Sequence, residues 1–294
     1  MATMSLCVTS VMLPRWGLDE TFDKLRACGF EGIELRVRPN PDDPNVEPSF
    51  WGRHLADVGP ANVMAKVPAI RAAAARTGIK VVSFSPWTKP SDVSTTEALF
   101  RAAVAVDPDR PAMVRLDVAR YDRDKPYRPQ FDAAKRELEG AAARAKPFGV
   151  KVLYEIHAGT VAMSATRAAS LLDGLDPVHV GAIYDIPNMS RVGLEDTRQG
   201  MDALGPYLAH CHIGGSRPVA GAGDGTGWSW EFCDLRQGVA NIPAILADFH
   251  RVGYAGWLSL EDFSPGDDEA KLRGQREWLS SCLAKLGRTA PGGV

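Results

Sequence analysis

Hydrophobic positions along the chain follow two alternating periods. Short runs rich in β-branched residues read as strands: "SLCVTSVM" (5–12), "GIELRV" (32–37), "IKVVSFS" (79–85), "AMVRLDV" (112–118), "VKVLYEIH" (150–157), "VGAIYD" (180–185), "AHCHIG" (209–214) and "GWLSLEDF" (256–263). Between them Ala and Leu recur at helical spacing, as in "FDAAKRELEGAAARAKPFG". These stretches predict helices over 18–28, 62–77, 95–105, 129–147, 164–173, 194–205, 240–252 and 267–286. Helix-ending glycines precede strands in "CGFEGIEL", "TGIKVV", "FGVKVL" and "VGYAGWLSL". Eight strands alternating with helices in 294 residues predict a parallel sheet closed as a single (β/α)8 barrel. A doubly wound open sheet is the competing reading, but the first turn, "VTSVMLPRWG", lacks its glycine-rich pattern. No linker divides the chain, so residues 1–294 are expected to form one domain. The segment 38–61 is long for a βα-loop and reads as a lid or a subunit contact, and 288–294 as a flexible tail.

The barrel gives meaning to the ends of the strands, because sites in this fold lie there. The fifth strand ends in Glu155 and His157, which share a face. The second ends near Glu34 and Arg36, the fourth in Arg115 and Asp117, the sixth in Asp185, the seventh in His210 and His212, and the eighth in Glu261 and Asp262. The pattern describes a polar mouth over a packed core. Glu155, Asp185, His212 and Glu261 end four consecutive strands, and neighbouring strands sit about 4.8 Å apart, so the four can converge. Three carboxylates together repel, and a divalent cation removes that penalty. Oxygen-rich ligation with one imidazole suits Mn²⁺ first, with Mg²⁺, Co²⁺ or Zn²⁺ as alternatives. Each acid alone has a bland reading as a helix cap, and His210 reads as a buried, hydrogen-bonded histidine.

Composition narrows the classes. Charge is balanced, 34 basic against 36 acidic residues, with no basic stripe, which argues against nucleic acid as a partner. No apolar run approaches the roughly 20 residues of a membrane helix, and the N-terminus lacks the basic start of a signal peptide. Five scattered cysteines, none in a CxxC pair, argue against disulfides and zinc ribbons and fit a reducing cytoplasm.

The pieces "GFEGIEL", "GVKVLYEIH", "YDIPN", "HCHIGG" and "GYAGWLSLEDF" span most of the chain. In them it resembles the xylose isomerase-like TIM barrels, which include sugar isomerases and epimerases, hydroxypyruvate isomerase, inosose dehydratase and endonuclease IV. The resemblance implies a metal held by Glu155, Asp185, His212 and Glu261, with His157 beside it and Arg217 as a substrate-binding arginine. It departs in two places: Asn188 stands where many members carry a histidine, and His212 is followed by Ile-Gly-Gly instead of x-Lys-Asp. The multi-zinc histidine pattern of endonuclease IV is missing from the six histidines. By analogy a homo-oligomer is expected, with a hetero-oligomer as the alternative.

The expected chemistry is proton transfer on a sugar or keto-sugar through a metal-stabilised enediolate, with Glu155 and Glu261 as the acid/base pair and His157 assisting. The alternative is a lyase on the same site, a dehydratase or an enzyme cleaving a keto-glycoside or C-glycoside. A sugar-binding barrel without catalysis is a third reading. Glu34, Trp16, Trp87 and Trp228 are candidate substrate contacts, since a tryptophan ring stacks on the apolar face of a sugar; Trp230 lies beside them. The stretch "VAGAGDGTGWSW" (219–230) reads as a mobile loop over the mouth.

Overall fold

The computed structural model describes residues 3–117, 120–193, 195–221 and 227–286. Eight parallel strands close a barrel. Around the ring they run β1 (Ser5–Thr9), β10 (Trp257–Leu260), β7 (Leu208–Ile213), β6 (Val180–Asp185), β5 (Val152–Glu155), β4 (Met113–Leu116), β3 (Lys80–Pro86) and β2 (Gly32–Val37). Helices return the chain along the outside, among them α1 (Leu18–Ala27), α2 (Val63–Thr77), α3 (Val93–Val106), α4 (Tyr127–Ala145) and α5 (Ala165–Leu172). The later ones are α7 (Thr197–Leu204), α8 (Ile242–Arg251) and α9 (Asp268–Leu286). The predicted tail 288–294 lies outside the described residues. No described helix is long and apolar enough to cross a membrane. All five cysteines are free and buried.

The hydrophobic core sits between the strands and the helices. Leu6, Val8, Leu35, Val114, Tyr154, Tyr184 and Leu258 belong to this layer. The alternate strand positions point into the barrel, and they are largely polar. Register places Thr9 beside Glu34, Glu34 beside Ser83, Asp185 beside His212 and Ser259 beside His212. The packed core under the polar mouth is therefore polar in part. Polar side chains continue inward from the mouth, and they are tolerated because they bond one another.

Two elements were not anticipated. A short helix, α6 (Ile186–Val192), starts directly at the end of β6, where the Asp185 carboxylate accepts from the Asn188 backbone N–H at 2.8 Å. An antiparallel hairpin, β8 (Gly215–Ala220) and β9 (Trp228–Cys233), follows β7. Its strands take in 219–220 and 228–230 of the expected mobile loop 219–230, of which 222–226 lie outside the described residues. Gly214 is required at the start of this excursion. A Cβ there would stand 2.4 Å from the Glu261 carbonyl oxygen, so only glycine lets the chain leave β7 this close to the end of β10.

The inserted segment 38–61 has no regular element, yet it is tied down. The Arg38 N–H donates to the Val58 carbonyl and the Leu55 N–H to the Pro14 carbonyl. Phe50 and Trp51 pack on Phe263, with ring centroids 5.4 and 4.7 Å apart, which brings the segment to the rim of the barrel mouth.

Candidate active site

The ends of β5, β6, β7 and β10 meet at one atom, Nδ1 of His212. Glu155 Oε1 and Asp185 Oδ2 each lie 3.1 Å from it, and Glu261 Oε1 lies at 3.3 Å. All four predicted ligands are thus brought together. Asp185 is fixed by Asn188, whose amide donates to Oδ2 at 2.9 Å while its backbone N–H donates to Oδ1. The Asn188 side chain also accepts from the Ala158 N–H, which ties the loop after β5 to the start of α6.

Behind this cluster lies a second one. Glu34 is 0% exposed, and its Oε2 accepts from Nε2 of His212 at 3.1 Å, Nε2 of His210 at 3.0 Å and the Ser83 hydroxyl at 2.9 Å. Glu34, expected to touch substrate, instead braces the far side of the His212 ring. A carboxylate there keeps the proton on Nε2 and leaves Nδ1 to face the other three acids. Glu34, His210 and His212 also approach closely enough to hold an ion, but their contacts are already those of an acceptor with its donors. His210 is buried and bonded as expected, although its Nδ1 has no partner among the described residues.

Charge is unevenly distributed. Burial opposes the Glu155 anion, but Arg115 and His212 outweigh it and hold the carboxyl well below its usual range. The Arg115 guanidinium pairs directly with both Glu155 and Asp117. Glu261 has no such partner. Burial, with Asp185, Glu155 and Glu34 adding to it and His212 opposing, pushes its carboxyl up to about 8. Burial would discharge His212, but Glu261, Glu34, Asp185 and Glu155 keep the imidazole protonated well above its usual value.

This donor set fits a divalent cation. Three carboxylates face Nδ1 of His212 while Arg115 is shared between Glu155 and Asp117, and a divalent cation at Nδ1 would offset the excess negative charge. Ligand atoms of Glu155, Asp185 and His212 lie within 4.8 Å of one another, close enough to hold one ion, and Glu261 stands beside them, 3.3 Å from Nδ1.

Above the cluster opens a cavity of about 760 Å³. Glu155, His157, His212 and Glu261 lie in its wall, as does Trp87. His157 bonds through Nδ1 to the Ala158 carbonyl at 2.7 Å. Three other predicted contacts are elsewhere. Trp16 is 6% exposed, packs in the core and carries the Lys24 ammonium over its ring. Arg217 pairs with Glu231 across the hairpin, and Trp228, 72% exposed, sits at the hairpin's outer end. None of the three lines the cavity. Several wall residues were not singled out: Trp51 from the insertion, Phe232 from β9, Phe263 just after β10, and Arg38 and Arg191.

Fold and site define a (β/α)8 barrel with a carboxylate–histidine centre at the C-terminal ends of its strands. The family model for xylose isomerase-like TIM barrels matches residues 22–282, and the chain belongs to that family. No curated protein matches the sequence. Among solved structures, 3-keto-D-glucoside 4-epimerase from E. coli is similar at 15% identity and a TM-score of 0.70, covering 95% of this chain and 100% of its own. A probable 3-DHS dehydratase from Bacillus anthracis shares 15% identity at a TM-score of 0.71, over 94% and 99%. A xylose isomerase-like barrel from Mycobacterium smegmatis in complex with magnesium shares 17% at 0.68, over 97% and 98%. At these identities the likeness is one of fold.

Proposed function

We propose that the protein is a divalent-metal-dependent enzyme that moves a proton on a substrate with adjacent hydroxyl and carbonyl groups, a keto-sugar isomerase or epimerase. The observation that carries this is the convergence of Glu155, Asp185 and Glu261 on Nδ1 of His212. These four would hold the ion, with Mn²⁺ preferred. Bound there, it would polarise the substrate carbonyl and acidify the neighbouring C–H. The remaining work falls to this chain's own groups. Glu155, kept anionic by Arg115, takes the proton from carbon. Glu261 stands at the other end of the ligand arc, on the far side of β6 and β7, and returns a proton from there. Trp51, Phe232 and Phe263 give the cavity an apolar wall, with Trp51 and Phe232 both packed on Phe263.

One observation favours a second reading. His157 lies in the cavity wall with Nδ1 committed to a backbone carbonyl, so its Nε2 is left to serve a departing hydroxyl or glycoside oxygen. That would make the enzyme a lyase. The relatives include both outcomes, an epimerase and a probable dehydratase.

The test begins with elemental analysis of the purified protein beside Glu155→Gln and His212→Ala. About one divalent ion per chain, lost in both variants, is expected. No bound metal, and no thermal stabilisation by added Mn²⁺, Mg²⁺, Co²⁺ or Zn²⁺, would end the proposal. Product mass then separates the two readings, because isomerisation conserves mass and elimination does not.

A further inference from the structure

The mouth of the barrel is divided by charge. The predicted ligands rise from β5, β6, β7 and β10. Across the ring stand β2, β3 and β4, and their ends carry cations: Arg38 just after β2, Lys89 after β3, and Arg115 and Arg120 on and after β4. Arg115 is spent on Glu155 and Asp117. Arg38, Lys89 and Arg120 line the cavity without an ion pair to any described carboxylate, and so does Arg191 beyond β6. Once two positive charges offset the ligand arc, the rest of the cavity is strongly cationic.

Arg38 is the most built of these. It is 4% exposed. Its Nε donates to the Ser85 carbonyl at 3.1 Å and Nη2 to the Ser85 hydroxyl at 3.2 Å, and the Trp87 ring lies 4.6 Å from the guanidinium carbon. Nη1 has no partner. Burying a guanidinium without a counterion costs free energy, and such groups are normally paired. Burial, with Arg115 nearby, accordingly weakens its hold on its proton. Arg191 repeats the pattern on the other side: its Nε is buried without a partner, and its guanidinium stacks 4.6 Å from the Phe232 ring. Both arginines are positioned by aromatic rings and missing an anion.

We propose that the substrate is an acid, a hydroxy-carbonyl compound whose carboxylate is bound by Arg38 while its adjacent oxygens face Glu155, Asp185, His212 and Glu261. The second half rests on the metal-enzyme reading above, and the first does not. Two of the Arg38 nitrogens are spent on Ser85, which suits a singly charged carboxylate better than a phosphate dianion.

The test compares matched probes on the full chain by calorimetry, with Mn²⁺ and again after EDTA treatment, at fixed ionic strength. The pairs are D-glucuronate against D-glucose and D-galacturonate against D-galactose, with D-glucose 6-phosphate as a third arm. The acids are expected to bind at least about tenfold tighter than their neutral partners, a typical effect of one charge-assisted hydrogen bond. Arg38→Gln should remove that preference and leave neutral-sugar and Mn²⁺ binding in place, while Arg38→Lys keeps part of it. If Arg38→Gln does not fold, the wild-type comparison and Arg191→Gln carry the test. Equal binding of acid and neutral sugar overturns the proposal, as does an equal loss of both in Arg38→Gln. Tighter, Arg38-dependent binding of the phosphate ester than of either uronate replaces carboxylate by phosphate and also overturns it. Absence of Mn²⁺ binding would instead overturn the metal-enzyme reading, and the acid preference would still be read on the EDTA-treated protein.

Discussion

Replacing Glu34 by glutamine isolates the charge beneath the candidate metal centre. The carboxylate accepts from His212, His210 and Ser83 on one oxygen, at 3.1, 3.0 and 2.9 Å, and from the Thr9 hydroxyl on the other at 3.4 Å. Glutamine has the same shape. Its carbonyl oxygen can keep the first three bonds, and its amide can donate to Thr9, whose hydroxyl also accepts. Charge is lost and little else. A histidine ligand backed by a carboxylate is a better donor, and losing such a partner costs roughly 10–100-fold in metal affinity. Because the hydrogen bond survives, the lower end applies: about tenfold, or about 1.4 kcal/mol. Mn²⁺ titration by calorimetry, with chelator competition where binding is tight, measures it. Thr9→Val is the control: it removes only the long bond and should change affinity by less than about threefold. A Glu34→Gln protein that binds Mn²⁺ like the wild type, or a Thr9→Val protein that loses as much, would refute the assignment of Glu34 as the brace of His212.

Mn²⁺ affinity should rise with pH through about 8, because the ion must displace both the proton that Glu261 holds up to about 8 and the one that His212 holds above its usual value; a dissociation constant flat from pH 6 to 9 contradicts this. The same raised value makes the folded, EDTA-treated protein hold a proton that the unfolded chain loses near pH 4.5. The Glu261 contribution to its stability should therefore fall as pH climbs from about 4.5 to 8, and Glu261→Gln should flatten that part of a pH-melting profile. Gly214→Ala sets a Cβ 2.4 Å from the Glu261 carbonyl oxygen and 2.8 Å from Pro187, and should destabilise by about 1–3 kcal/mol with weakened Mn²⁺ binding, as read by denaturant unfolding and titration. Arg115→Met strips the buried Glu155 of its ion-pair partner and should cost about 3–5 kcal/mol in urea unfolding; a loss under about 1 kcal/mol would mean that Glu155 is not held by this pair.

The eight barrel strands and their C-terminal acids were legible because each strand has a short apolar period and a sudden polar end. Asp185 and His212, for example, sit side by side in the register that their strand ends implied. What could not be read was height. Strands in a barrel are staggered, so two residues near strand ends need not lie at the same level. Glu34 shows this: it pairs with Thr9 and Ser83 and ends up under His212 instead of beside the cavity. The α6 helix did carry a signal, Asp185 followed by Pro187 and Asn188, but it was hidden behind the functional reading of the aspartate. The β8–β9 hairpin also carried a signal, in Trp228, Trp230 and Phe232 at alternate positions, but the glycines before them read as a loop. Tryptophans in loops gave position without direction, and Trp16 and Trp87 went opposite ways. Arg38 was passed over because it begins an insertion, where a charged residue looks like ordinary surface.

The separation of the cavity's two charged arcs is also a separation along the gene. Arg38, Lys89, Arg115 and Arg120 all precede α4, and Glu155, Asp185, His212 and Glu261 all follow it; only Arg191 crosses over. One half-barrel holds most of what would recognise the substrate, and the other holds what would transform it. A recombination within α4 would exchange the recognising half, provided that the incoming half still supplies Glu34 beneath His212 and Arg115 beside Glu155. A family built this way can change its diet by trading N-terminal halves, and hybrid chains joined between residues 127 and 145 are the natural place to look for new specificities on an inherited chemistry.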